Sequence, residues 1–380
     1  MKICFTGDLF VGGDLQEKTL SNIVDIDLYN NSEFRISNLE HPISDNSFIE
    51  NKSTLFANSE SISTIRDIRL NAVCLANNHI HDKGDSGILS TLSHLKNNNI
   101  GSFGAGNSIF DAEKPYFICS DLAVLGYCDF DKKHLNQVKV ATKDSPGVNP
   151  LRLEKILSDL ESLNDNQEAV IYLHWGEEHV YFPPYEDIKL VKKLLEHKKV
   201  ALVIGAHAHR VQGIISHNDK YAYMCLGNFL FPNFYISKPT QINYPPKNTT
   251  TKYSTRLYHQ VYKLTYKKWK WINRLSLILQ YDTVSKKIIH KVVLQKDNEP
   301  KIIEPKLIQK LYITFIVKLL SLMYKLPFFL YKIFQISNSY MSRIYHYIYV
   351  SFFYINQRGF KNFIKKVFEI IFLNIKKVNR

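Results

Sequence analysis

At 380 residues and 44.3 kDa the chain is long enough to bury a full core, in one large domain or in two or three smaller ones. Its composition, 45% hydrophobic and 22% charged, is that of a globular protein. Five scattered cysteines, each in or beside an apolar run, exclude a disulfide framework or a zinc ribbon and indicate reduced thiols. The net charge of +14 is lopsided: residues 301–380 hold 14 Lys and Arg against 2 Asp and Glu, which leaves 35 against 33 for residues 1–300. The tail is therefore the basic object and the body is nearly neutral.

The chain opens Met1-Lys2-Ile3-Cys4-Phe5-Thr6-Gly7-Asp8. That stretch lacks the basic start, the apolar run of roughly 7–15 residues and the small-residue cleavage site of a signal peptide, which predicts a cytoplasmic protein. Short apolar runs at Lys2–Phe5, Phe34–Ser37, Ala72–Leu75, Ala123–Tyr127, Ala169–Leu173, Ala201–Ile204 and Tyr221–Leu226 read as buried strands. Between them Glu60–Arg69, Gly87–Asn97, Arg152–Ser162 and Tyr185–His197 carry apolar residues at helical spacing. Alternating strand and helix predicts an α/β fold over residues 1–300. After Asn233 the texture changes, and residues 237–274 read as an insertion, rich in Thr, Tyr, Pro and Asn over 237–262. Leu275–Tyr281 and Ile288–Gln295 flank Asp282–Lys287 as a hairpin.

From about Pro300 the pattern is that of a basic, aromatic, amphipathic helical tail, residues 301–380. Lys318, Lys325 and Lys332 recur every seven residues, nearly the same face of a helix, among Phe315, Val317, Leu320 and Phe328. Three such lysines would each cost about 2.5–3.5 kcal/mol at a bilayer centre. The next apolar run, Ile344–Ile355, is shorter than the ~20 residues a spanning helix needs. The expectation is a tail lying peripherally on the inner membrane face, lysines toward anionic lipid. Helices packed on the body or on a partner subunit are the alternative. Nucleic acid is disfavoured as a partner, because the apolar face is far larger than a stacking platform needs.

Chemistry-bearing residues gather in islands at the ends of predicted strands: Gly7-Asp8, Asn38-Leu39-Glu40, Asn77-Asn78-His79, Leu173-His174-Trp175-Gly176 and Gly205-Ala206-His207-Ala208-His209. A two-metal hydrolytic site needs a bridging carboxylate, several imidazoles and open positions for water and substrate oxygens. Asp8 and Glu40 supply carboxylates; His174, His207 and His209 supply imidazoles; Asn78 adds an amide oxygen. This donor set, without thiolate, suits Mn, Fe or Zn, and two divalent ions are expected. His79, with Asp82 three residues on, has the makings of an oriented general acid. Asn38, His41, Glu178, Gln212 and Asn228 are expected to line the substrate pocket.

Taken in order, Gly7-Asp8, Asn38-Leu39-Glu40-His41-Pro42, Ala76–Gly84, His174-Trp175-Gly176-Glu177-Glu178, Gly205–Gln212 and Leu226-Gly227-Asn228-Phe229 resemble the capsule-synthesis CapA family, a branch of the calcineurin-like metallophosphoesterases. The resemblance covers about residues 1–300. It implies a four-layer α/β/β/α sandwich with a dinuclear site at the strand ends. Asp8 and His209 would hold one ion, Asn78, His174 and His207 the other, and Glu40 would bridge. His79 would stand at the acid position. The broader superfamily has Asp-x-His at its first motif; here the third residue is Phe10. The implied function is metal-dependent hydrolysis or transfer on an anionic polymer of the poly-γ-glutamate type, or on a phosphoester. The alternative is a non-catalytic metal-binding accessory of a membrane polymer-synthesis or export complex.

Overall fold

The computed structural model describes residues 1–15, 22–50, 54–130, 138–235, 266–297 and 299–368. Strand β1 (Lys2–Leu9) is buried on both faces from Ile3 onward, as a continuous apolar run demands, and it sits in the middle of the first sheet. On one side it pairs in parallel with β2 (Phe34–Leu39), which leads to β3 (Ala72–Cys74) and β4 (Gly101–Phe103). On the other it pairs antiparallel with β16 (Leu275–Asp282), which leads to β17 (Ile288–Gln295) and β18 (Ile302–Ile303). The predicted hairpin is thus the far half of this sheet. The short β13 (Asn228–Leu230) adds to the end of β1 in parallel, putting Asn228 opposite Asp8.

A second, six-stranded sheet runs β11 (Ile214–His217), β12 (Lys220–Tyr223), β10 (Val200–Ala206), β9 (Glu168–His174), β7 (Leu122–Cys128) and β6 (Tyr116–Cys119). Two small ladders complete the strands: β5 (Ala105–Gly106) with β8 (Gly147–Val148), and β14 (Phe234–Tyr235) with β15 (Tyr266–Lys267). The helices are α1 (Asp27–Asn30), α2 (Ile62–Asp67), α3 (Gly84–Asn97), α4 (Ile109–Ala112), α5 (Leu153–Glu161), α6 (Tyr185–Glu196), α7 (Leu307–Met323) and α8 (Phe328–Arg358). Strand alternation divides the core. Val170 and Tyr172 of β9 face Phe5, Ile36 and Val73 of the first sheet, with the Phe5 and Tyr172 rings 6.2 Å apart. Their neighbours Ile171 and Leu173 point the other way, onto Ile156 and Leu160 of α5 and Ile188, Val191 and Leu194 of α6. The chain is a mixed α/β protein.

The predicted run Tyr221–Leu226 breaks after Tyr223, because Met224 N–H donates to Gly213 O at 3.1 Å instead of continuing the β10 ladder. Of the insertion expected over 237–274, residues 237–265 lie outside the described residues. Its last part is packed: Trp269, Asn273 and Arg274 are all buried.

The C-terminal helices use part of their apolar surface on the body. Ile313, Val317, Leu320 and Tyr324 of the α7 stretch and Tyr331 of α8 are buried, several of them against the α6 side of the second sheet. Pro327 caps α8, where its missing N–H costs no helical bond. Much of the rest, including Phe315, Leu322, Phe329, Met341 and Phe352, stays exposed. Among the described residues no helix is long and apolar enough to cross a membrane. The predicted third run, Phe360–Ile375, is described only as far as residue 368.

Candidate metal centre

The polar islands meet at one edge of the two sheets. Asp8 is the penultimate residue of β1, Asn38 lies near the end of β2 with Glu40 just beyond it, and Asn77-Asn78-His79 follows β3. From the second sheet come His174, the last residue of β9, and His207-Ala208-His209, which follows β10. Strands that run parallel deliver their carboxyl ends to the same side, so each apolar run buries itself and ends with a ligand-type residue on a common edge. Two glycines permit the close packing this needs. A Cβ on Gly7 would lie 1.9 Å from Gly227 O, and one on Gly205 would lie 1.8 Å from Met224 O.

Within this edge the donor atoms form two groups that share one carboxylate. Glu40, His174 and His207 offer atoms that all lie within 4.8 Å of one another, and so do Asp8, Glu40 and His209. His174 Nε2 is 3.6 Å and His209 Nε2 3.7 Å from the same Glu40 Oε1. Asp8 Oδ2 is 3.4 Å from His209 Nδ1. Asn78 Oδ1 reaches His174 Nε2 at 2.8 Å, placing its amide beside the first group. All of these ligand-type residues but Asn78 are buried.

The donor set fits a pair of divalent cations. His207 is fully buried, yet neither of its ring nitrogens has a hydrogen-bond partner among the described residues. Leaving a polar group so is costly unless something else satisfies it. Burial, with His209 nearby, pushes its pKa down to about 4, so the ring is neutral and able to donate a lone pair. His207 and His209 also hold left-handed backbone angles, φ 85° and 51°, unusual for residues with a Cβ. Backbone strain of this kind persists only where the surroundings over-determine it.

Around the donors stands a supporting layer. Asn38 Nδ2 donates to Asp8 Oδ1 at 2.8 Å and sits 3.3 Å from His174 Nδ1. Asn228 Oδ1 meets His209 Nδ1 at 2.8 Å, and the His207 N–H donates to Asp8 Oδ2 at 3.2 Å. His79 is oriented from its own loop: Nδ1 lies 2.6 Å from Asp82 Oδ2, which also accepts the Leu55 N–H at 2.6 Å. An acceptor already engaged by a backbone donor fixes the proton on His79 Nδ1 and leaves Nε2 as the outward nitrogen.

The residues expected at the substrate separate on inspection. Asn38 and Asn228 are buried and hydrogen-bonded to Asp8 and His209. Gln212 is buried too, its amide donating to Val180 O at 3.0 Å, so it braces the loop after β9. His41 is fully buried against the edge of Phe10, with burial pushing its pKa to about 3. Glu178 alone of the five is open, with 43% of its side chain exposed. Desolvation opposes its ionisation, but His207, His179, His209 and Lys267 outweigh it and hold the carboxyl below its usual range. Phe10 is no ligand: it fills an aromatic cage with Phe231, Phe234, Leu55 and Trp269. Arg210 falls inside the Gly205–Gln212 motif but was given no role there, and His179, Lys267, Trp269 and Lys270, which rim the edge with it, were missed because no periodicity or motif marks those four.

A mixed α/β fold with carboxylates and imidazoles gathered at one edge of its two sheets is the frame of the metallophosphoesterase-like superfamily. The chain belongs to the family described as bacterial capsule synthesis protein PGA_cap, whose model matches residues 2–233. It is 25% identical over 241 residues to the PGA biosynthesis protein CapA of Bacillus subtilis, covering 60% of this chain and 62% of that protein. It is 25% identical over 218 residues to the capsule biosynthesis protein CapA of Bacillus anthracis, covering 53% of this chain and 51% of that one. The matched region thus spans between half and two thirds of these relatives' length.

Proposed function

We propose that the chain is a metal-dependent hydrolase or transferase that acts on an anionic polymer of the poly-γ-glutamate type in capsule synthesis. The observation that carries this reading is the pair of donor groups joined at Glu40. Asp8 and His209 would hold one divalent ion, His174, His207 and Asn78 the other, with Glu40 between. Mn, Fe and Zn all suit these oxygen and imidazole donors. Bound there, the ions would supply Lewis-acid stabilisation of developing negative charge at the reacting oxygen.

The chain's own groups do the rest. His79, held by Asp82, presents Nε2 and protonates the leaving group. Asn38 and Asn228 keep the carboxylate and imidazole donors aimed. Face-to-face sheets with α5 and α6 on an outer side support the four-layer α/β/β/α arrangement, with a catalytic unit over residues 1–300 and the helical segment of 301–380 appended. That segment has no Asp or Glu between Lys306 and Arg358 and leaves Phe315, Leu322 and Phe329 exposed beside Lys318 and Lys325. This supports peripheral contact with an anionic membrane surface. Phe10, in place of a further imidazole, favours the second reading, a non-catalytic metal-binding accessory of a polymer-synthesis complex.

Metal analysis of the purified chain, beside a His207→Ala, His209→Ala variant, tests the centre. Two divalent ions per chain are expected, lost in the variant; a wild type that binds none after incubation with Mn or Zn would refute it. Cleavage of γ-glutamyl oligomers or phosphodiesters, slowed on His79→Ala by about 10²–10⁴-fold, separates enzyme from accessory.

A further inference from the structure

Three cations crowd the rim of the centre. Lys267 Nζ lies 3.0 Å from His179 Nε2 and 4.8 Å from the centroid of the Trp269 ring. The Lys270 amine sits 3.6 Å over the Tyr345 ring and 5.0 Å from that of Tyr349, both on α8. The Arg210 guanidinium is 4.9 Å over Tyr181. Trp269 connects the group to the centre, its ring 5.1 Å from that of His209.

These cations act on one another. Burial first, then Arg210 and Lys267, push the Lys270 amine down to about 8; burial, opposed by Glu178, lowers Lys267, and Arg210 lowers it further. Among the described residues no ion pair secures Arg210, Lys267 or Lys270, whereas the adjacent Lys268 pairs with Asp297 at 3.7 Å. Glu178 faces Lys267 but is one carboxylate against three cations. Like charges held together on aromatic platforms disfavour the folded chain unless an anion joins them.

We infer that Arg210, Lys267 and Lys270 form a subsite that grips an oxyanion group of the substrate, a carboxylate or a phosphate, beside the metal centre. The inference rests on the function proposed above and adds its substrate-binding residues. Lys267 and Lys270 lie beyond residues 2–233, so the subsite is built on a part of the chain that the family match does not reach. It also draws in α8, whose tyrosines hold Lys270 in place. An anionic polymer would then be held on charge outside the centre while one bond is presented inside it.

The test is binding of a fluorescent γ-linked glutamate decamer to the full, metal-loaded chain, with inorganic phosphate as competitor. Lys267→Gln and Lys270→Gln should each weaken binding about tenfold, with Lys270→Arg restoring it, because charge-assisted contacts are worth at least one decade. Lys268→Gln is the control for general surface charge. Weakening confined to the decamer assigns the subsite to carboxylates, and weakening confined to phosphate assigns it to phosphate. Unchanged binding of both, or equal weakening by Lys268→Gln, overturns the inference. Metal content, measured on the same samples, should match wild type, and the unfolding midpoint should not fall, because each change removes one of the crowded like charges. A wild type that binds the decamer but no metal would sink the proposed centre while leaving the subsite standing.

Discussion

Gly205→Ala is the sharpest test of how the fold builds its edge. The glycine lies two residues before His207 in β10, opposite Leu173 of β9. A methyl there would lie 1.8 Å from Met224 O, 2.5 Å from Met224 C and 2.8 Å from Trp175 Nε1. It would therefore wedge into the bond that Trp175 Nε1 donates to Met224 O at 3.2 Å. Ordinary contact requires the backbones to part by roughly 1.5 Å, and Met224 is tied on its other side through its N–H to Gly213. Overpacking costs about 1–3 kcal/mol and a lost buried hydrogen bond about 1 kcal/mol more. The expected loss is about 2–4 kcal/mol, a large part of the 5–15 kcal/mol typical of a domain. Urea unfolding of both proteins in chelator measures it without any contribution from metal. The same displacement carries His207 away from Asp8, so metal retention should fall even where the variant is folded. A variant within 0.5 kcal/mol of wild type and with full metal content would refute the reasoning.

Two further outcomes are expected. Tyr324 is buried and its hydroxyl accepts the Gly213 N–H at 3.1 Å while donating to Tyr181 O at 2.9 Å. Tyr324→Phe strands both backbone groups and should destabilise by about 2 kcal/mol or more in urea unfolding; a loss below 0.5 kcal/mol would show that the C-terminal helices do not brace the body. Burial pushes the Cys74 and Cys225 thiols up to about 12 and raises Cys4 further, and Cys128 is buried. At pH 8 a thiol reagent should therefore reach only the half-buried Cys119 in the native protein and all five cysteines after denaturation; two or more fast-reacting native thiols would contradict the packing.

What was legible in the sequence follows a physical pattern. β1, β9 and β10 are buried on both faces, so they read as unbroken apolar runs, and the ligand islands stand where those runs stop. The roles of Asn38 and Asn228 were not legible, because they depend on register: each lies opposite Asp8 only through strand pairing between distant segments. Both were expected at the substrate, and the hydrogen bonds they make to Asp8 and His209 appear only once the strands are paired. Lys267 and Lys270 were hidden for another reason. They sit where the expected exposed insertion ends, and a cation's neighbours there are set by α8, more than 70 residues on. Amphipathicity likewise told which residues of the tail are apolar, but not that Val317, Leu320 and Tyr331 would be covered by the body.

The loop after β9 is fastened by α8: Asn338 accepts the Tyr181 N–H, Ser339 donates to Glu177, and Ser342 donates to His179 O across 163 residues of chain. On the ribosome, where chains grow by about 5–20 residues each second, that loop would wait roughly 8–30 s for its last partner. β1 waits longer still, since Lys2 pairs with Asp282. The newborn edge would thus carry its histidines and carboxylates before the segments that shape it exist, and the order of synthesis makes the rim the last part of the site to be finished.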